Sequence, residues 1–201
     1  MAAEFNRAAF LRRGAVGGGA LLVTASGLTA FAGAASADTI PDADLAYLRL
    51  LIAGELLALD FQDKALASGA LRHDARPLIR KIRSNEEAHY AKLAAVMTAA
   101  GQTPATSGDI DFSYPKGSFH SQAPIVRLAG QIERLLLGAY LGAAENVQTP
   151  DLRLPIGQIA ANEAQHASAV AGLAGGVVIG KAFAPALQIA EVSDALDRFE
   201  S

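Results

Sequence analysis

Two short stretches constrain this chain more than anything else in it. Ile82-Arg83-Ser84-Asn85-Glu86-Glu87-Ala88-His89-Tyr90-Ala91-Lys92-Leu93 and Ile159-Ala160-Ala161-Asn162-Glu163-Ala164-Gln165-His166 place Ile, Asn, Glu and His at the same offsets. An apolar residue, Leu93 or Val170, follows each His by four positions. On a helix, residues three apart point to one side, so Glu86 projects with His89 and Glu163 with His166. Ile82, Leu93 and Val96 share that side in the first copy, which makes it the apolar, core-facing stripe. Scattering 9 Glu and 4 His at random over 201 residues would give about 0.2 Glu-x-x-His pairs, and two are present. One such pair is ordinarily a solvated contact or a hydrogen-bonded core histidine. Two copies on apolar stripes call for something that compensates buried carboxylates, and a metal ion accepting an oxygen and a nitrogen from one helical turn does so.

The rest of the chain supplies matching carboxylates. Asp42 or Asp44 can cap a helix over about 45–67, ended by Ser68-Gly69. Its stripe reads Leu48, Leu51, Ile52, Leu59, with Glu55 in the middle and Asp60 and Asp63 off the line, in solvent. A second helix is expected over 77–100, opened by Pro77 and closed by Ala100-Gly101. Residues 102–122, rich in Thr, Ser, Gly, Pro and Asp, form a long connection. A third helix, 124–147, carries Val126, Ala129, Ile132, Leu136, Leu137 and Tyr140 on its apolar side, with Glu133 among them. Thr149-Pro150-Asp151 breaks it, and Pro155 opens a fourth helix over 155–172. The tail, 173–201, holds Gly175-Gly176, Pro185 and a short helix of about 194–199 capped by Ser193.

These halves are an internal repeat. Glu55 precedes Glu86 by 31 positions and Glu133 precedes Glu163 by 30. Each half is one helix with a buried Glu, then one with Glu-x-x-His. No basic residue lies on those stripes, and four carboxylates facing one core repel strongly without a cation. The spacing predicts an all-α, antiparallel four-helix bundle with a long crossover and a C-terminal tail.

Composition narrows the chemistry further. Cysteine is absent, which excludes disulfides, thiolate metal sites and Cys nucleophiles. The N-terminus reads as an export signal: Arg7, Arg12 and Arg13 precede a Gly/Ala/Leu-rich run from Ala15 to Ala34, and Ala35-Ser36-Ala37 fits a cleavage site. Asn6-Arg7-Ala8-Ala9-Phe10-Leu11-Arg12 resembles a twin-arginine signal whose second Arg is Ala. Cleavage after residue 37 leaves 38–201 as one domain in the periplasm or outside the cell; an uncleaved membrane anchor is the alternative. That domain has 17 − 3 = 14 basic and 20 − 1 = 19 acidic side chains. No basic patch marks a nucleic-acid partner. No shell interface is signalled, and homo-oligomer formation stays open.

At this point the residues resemble a family. One Glu from each of two helices plus a Glu-x-x-His from each of two others is the pattern of the ferritin-like di-iron/di-manganese carboxylate proteins. All six positions are occupied, by Glu55, Glu86, His89, Glu133, Glu163 and His166. Gln131-Ile132-Glu133-Arg134-Leu135-Leu136-Leu137-Gly138-Ala139-Tyr140-Leu141-Gly142-Ala143-Ala144 looks like the third helix of exported bacterial members related to plant desiccation-related proteins. The resemblance implies two iron or manganese ions, Glu86 and Glu163 bridging, Glu55 and Glu133 terminal, and one histidine on each ion. It implies redox handling of peroxide or oxygen, the alternative being a non-enzymatic metal-binding or stress-associated protein, and after that a bundle without metal. Asn85 and Asn162 read as helix-surface amides, with support of the ligands as the alternative, and Tyr140 as a core tyrosine in need of a hydrogen bond. His73, His120, Glu87 and Glu145 fall outside the set.

Overall fold

The stretch from Asp42 to Ala67 is apolar on more than one side, so a single partner helix cannot cover it. In the computed structural model, which describes residues 40–200, this stretch is α1 (Asp42–Ala67), and Leu50 through Ala58 are buried without a break. Leu59, expected on the core stripe, is only half-buried. The other elements are α2 (Ala75–Ala99), α3 (Gln122–Asn146), α4 (Pro150–Leu173) and α5 (Ile189–Asp197). The signal reading of 1–37 lies outside the described residues. Among those described, no helix is long and apolar enough to cross a membrane.

Three polar ties fix the directions of the helices. Asp44 near the start of α1 accepts from the amides of Gln148 (2.9 Å) and Thr149 (2.8 Å), just after α3 ends. Gln122, the first residue of α3, accepts through its side chain from the Arg72 amide in the α1–α2 connection. Arg49 in α1 donates to Gln102, just beyond α2 (2.9 Å). Hence α1 runs antiparallel to α2 and α3, and α4 packs antiparallel to both of those. This is a four-helix bundle of two hairpins, α1–α2 and α3–α4. The 22 residues from 100 to 121 must therefore travel back along the bundle, a distance of about 37 Å for a 25-residue helix.

Aromatic groups pin that crossover down. The Tyr90 hydroxyl donates to the Ala105 carbonyl (2.9 Å), and the Tyr114 hydroxyl to Asp60 (2.8 Å). Asp60, expected in solvent, is thus a half-buried acceptor. The Tyr114 ring packs against Phe61, Phe119 and Phe199, with centroids 5.2 to 6.0 Å away. The Ser113 amide donates to the Phe199 carbonyl, so the end of the tail is tied to the crossover (2.6 Å).

Three local expectations give way to stronger interactions. Helix α4 starts at Pro150, because Pro150 takes the first helical position, where its missing N–H is harmless. Pro155 therefore sits inside the helix and leaves the Asp151 carbonyl without its usual donor. Asp44 does not cap α1; it is fully buried and caps the chain entering α4 instead. The tail helix spans Ile189–Asp197, because Gln188 and Glu191 cap its start reciprocally, and Ser193 is mid-helix. The tail reaches that helix by crossing α3 at Gly138 and Gly142, where the Leu187 amide donates to the Gly138 carbonyl (2.9 Å). A Cβ on Gly142 would stand 1.8 Å from the Leu187 carbonyl oxygen. Val192 and Leu196 are then buried, with α5 against α1 and α3.

Two outcomes are expected. Gly142→Ala, which in an open helix would add about 1 kcal/mol of stability, here lowers it by about 1–3 kcal/mol, read by thermal melting. Asp44→Asn loses charged hydrogen bonds at a helix entrance and costs roughly 2 kcal/mol at neutral pH. Burial pushes the Asp44 pKa up, but hydrogen bonds from Thr149 and Gln148 and the charge of Arg153 outweigh it, and the net shift is downward. A carboxyl with a lowered folded pKa contributes stability above its unfolded pKa, near 3.8, and that contribution is lost as pH falls through the folded value. The melting difference between wild type and Asp44→Asn should therefore be full at pH 7 and shrink below about pH 4.

Candidate metal centre

The core stripe of α2 runs Ile82, Glu86, His89, Leu93, Met97, all buried. Met97 takes the place expected for Val96, which is half-buried. The matching stripe of α4 runs Ile156, Ile159, Glu163, His166, Val170. Helix α1 adds Glu55 and α3 adds Glu133, with Leu137, expected beside it, half-buried. The crossing of α1 and α3 is tight at Gly54, where a Cβ would lie 2.6 Å from the end of the Leu136 side chain. The four carboxylates are at most 1% exposed, His89 is 8% exposed and His166 4%.

All six side chains meet in two overlapping groups. Glu55, Glu86, His89 and Glu163 each offer a ligand atom within 4.8 Å of the others, and so do Glu86, Glu133, Glu163 and His166. Glu86 and Glu163 belong to both groups. His89 Nδ1 stands 2.9 Å from Glu86, 3.0 Å from Glu163 and 3.7 Å from Glu55. His166 Nδ1 stands 3.1 Å from Glu86, 3.3 Å from Glu133 and 3.6 Å from Glu163. The rings stack with centroids 5.9 Å apart. His73 and His120 are exposed and take no part, nor do the exposed Glu87 and Glu145.

Left to each other, these groups share protons. Burial drives the Glu55 carboxyl well above its ordinary range, with Glu86 and Glu163 adding to it and Tyr140 opposing. Burial likewise pushes Glu133 up to about 8, against the pull of His166. For Glu86 burial also acts upward, but the close imidazoles of His166 and His89 win and hold it at about 2. Burial would lower both imidazoles, yet their carboxylate contacts raise His89 to about 9 and His166 to about 12. Even so, six buried atoms make no well-aligned hydrogen bond: one oxygen each on Glu55, Glu86 and Glu133, both on Glu163, and His166 Nδ1. Each orphaned acceptor is costly in an interior. Divalent cations at the two foci would engage them, and oxygen plus imidazole donors without thiolate suit iron or manganese. The residues fit such a pair.

A family model for the ferritin-like domain matches residues 43–176. The chain belongs to the ferritin-like domain family. Solved structures share the fold of this ferritin-like chain. A conserved hypothetical protein from Mycobacterium tuberculosis aligns at TM-score 0.59 and 20% identity, over 70% of this chain and 96% of its own. A ferritin-like, diiron-carboxylate protein from Bacillus anthracis str. Ames aligns at 0.56 and 22%, over 66% and 95%. A hypothetical protein from Methanococcus jannaschii DSM 2661 aligns at 0.57 and 10%, over 87% and 98%. No curated protein matches the chain.

Three polar contacts extend the cluster. Tyr140 is fully buried, and its hydroxyl donates a short hydrogen bond to Glu55 Oε1. Asn85 and Asn162 are not surface amides: Asn85 Nδ2 lies 2.9 Å from His166 Nε2, and Asn162 Oδ1 lies 3.1 Å from His89 Nε2. Each asparagine thus reaches the histidine of the opposite hairpin. The signal was present in the sequence, since Asn precedes the Glu in both copies of the motif. Tyr140→Phe would leave Glu55 Oε1 without its donor in a buried site. It is expected to cost about 1–3 kcal/mol, measured by urea unfolding of metal-free protein.

Proposed function

We propose that this ferritin-like chain holds a dinuclear iron or manganese centre at Glu55, Glu86, His89, Glu133, Glu163 and His166, and uses it in redox handling of peroxide or dioxygen. The observation that carries the reading is that two four-residue ligand groups share Glu86 and Glu163 and no other residues. Two shared carboxylates are what a pair of neighbouring cations needs. In this reading Glu86 and Glu163 would serve both ions, Glu55 and Glu133 would each hold one, and His89 and His166 would offer Nδ1. When bound, the pair supplies electrons in steps and polarises an oxygen-containing ligand.

The surroundings support a small substrate. The carboxylates are sealed from solvent and both histidines are buried, so a substrate that reaches the cluster would have to be small. Tyr140 anchors Glu55 and so limits the motion of one terminal carboxylate. Residues 1–37 are taken as an export signal, placing the mature chain in the periplasm or outside the cell.

Purified mature protein should carry about two iron or manganese ions per chain by elemental analysis, the stoichiometry of a two-metal site. His89→Ala should lower that content, and full loading of the His89→Ala/His166→Ala double variant would place the metal elsewhere. Peroxide turnover, followed by oxygen release or by oxidation of a dye, should scale with loading across partly stripped samples. Loading without turnover would favour sequestration over catalysis. Stripping the ions should also lower the melting temperature at neutral pH, because they bind only the native state; equal melting before and after verified removal would count against the centre.

A further inference from the structure

The two asparagines carry a second message, in their charge. Among the described residues, every ion-pair contact of His89 and His166 runs through Nδ1. The outward Nε2 of each ring meets a neutral amide instead, Asn162 for His89 and Asn85 for His166. With Nδ1 given to a cation, the ring proton sits on Nε2 and needs an acceptor. Asn162 already presents its oxygen, because its Nδ2 is occupied by donation to Gln165 Oε1 at 3.2 Å. Asn85 presents one after a half-turn of its amide, whose two ends are nearly alike in size. Neither contact adds charge. A carboxylate at either position would accept the same proton and bring a negative charge beside the ligand.

The sum over the protein's own ligands then biases the centre between oxidation states. Four glutamates contribute −4, and two neutral imidazoles with two neutral amides contribute nothing. Two divalent ions bring the buried set to zero, whereas two trivalent ions leave +2, which hydroxide or oxide from solvent, or a nearby carboxylate, must offset. Uncompensated charge is expensive in an interior where all four carboxylates are at most 1% exposed. We propose that Asn85 and Asn162 adapt this centre to a pair of divalent ions and set it against the trivalent form. The inference rests on the metal reading above and adds the role of these two residues to it.

The test compares a divalent ion with a redox-inert trivalent one, so that no activity enters. Full-length protein is stripped and titrated with Mn2+, and separately with Ga3+ supplied as its citrate, with affinities taken from chelator competition. The Asn85→Asp/Asn162→Asp variant should move the Mn2+/Ga3+ affinity ratio toward Ga3+ by roughly 10- to 100-fold. Each single Asp variant should shift it less in the same direction, and either one serves if the double variant does not fold. Asn85→Leu/Asn162→Leu keeps the branched skeleton and removes the hydrogen bonds; it should weaken both ions together and leave the ratio unmoved. Mn2+ binding by wild type with an unchanged ratio in the Asp variants overturns this inference and leaves the centre standing. Failure of wild type to bind either Mn2+ or Fe2+ overturns the centre and the inference with it.

Discussion

Four carboxylates packed into one apolar core are the constraint on which the rest of this structure depends. In water they would separate; here the helices that carry them are held together by unbroken burial along α1 and by the matching stripes of α2 and α4. The hydrophobic driving force is large and non-directional, so it can assemble the bundle and push the carboxylates into contact. It cannot satisfy them. The proton sharing among Glu55, Glu133, His89 and His166 and the orphaned oxygens are two faces of that conflict. Natural chains break the rule against buried charge mainly where function requires it.

Much of this was legible in the sequence. The doubled Asn-Glu-x-x-His and the repeat of about 30 positions located four helices and all six members of the cluster, because a charged residue on an apolar helical stripe is a local signal. Periodicity alone was less secure at the edges of stripes. Val96, Leu59 and Leu137 are only half-buried, since a helix stripe drifts round the axis and small errors of phase accumulate. What stayed hidden depends on contacts between distant segments. Nothing local shows that Asp44 turns away from its own helix to cap a chain more than 100 positions later. Nothing local shows that Leu187 will lie across Gly138 and Gly142 either, although two glycines four apart mark where a backbone can come close.

Capping explains the misplaced helix starts. Pro150 and Pro155 are both compatible with a first turn, and the sequence offers no reason to prefer the first until Thr149 is seen held by the buried Asp44. In the tail, Ser193 is the better capping residue by type, yet Gln188 and Glu191 satisfy each other's end of the helix and extend it by a turn. In both places a reciprocal or tertiary hydrogen bond overrides single-residue preference. The asparagines of the motif show the same limit: their spacing was visible, but not that each would serve the histidine of the other hairpin.

The crossover has a consequence beyond topology. Each of the two ligand groups draws on both hairpins: Glu163 completes the one around Glu55, and Glu86 completes the one around Glu133. A lone hairpin bearing one motif could finish its site only by finding a second copy of itself, with occupancy that depended on how often two copies met. Joined by the segment from 100 to 121, the two halves face each other at an effective concentration set by the tether, on the order of millimolar for a short flexible link. Assembly of the cluster thereby becomes a property of the single chain, independent of how dilute that chain is.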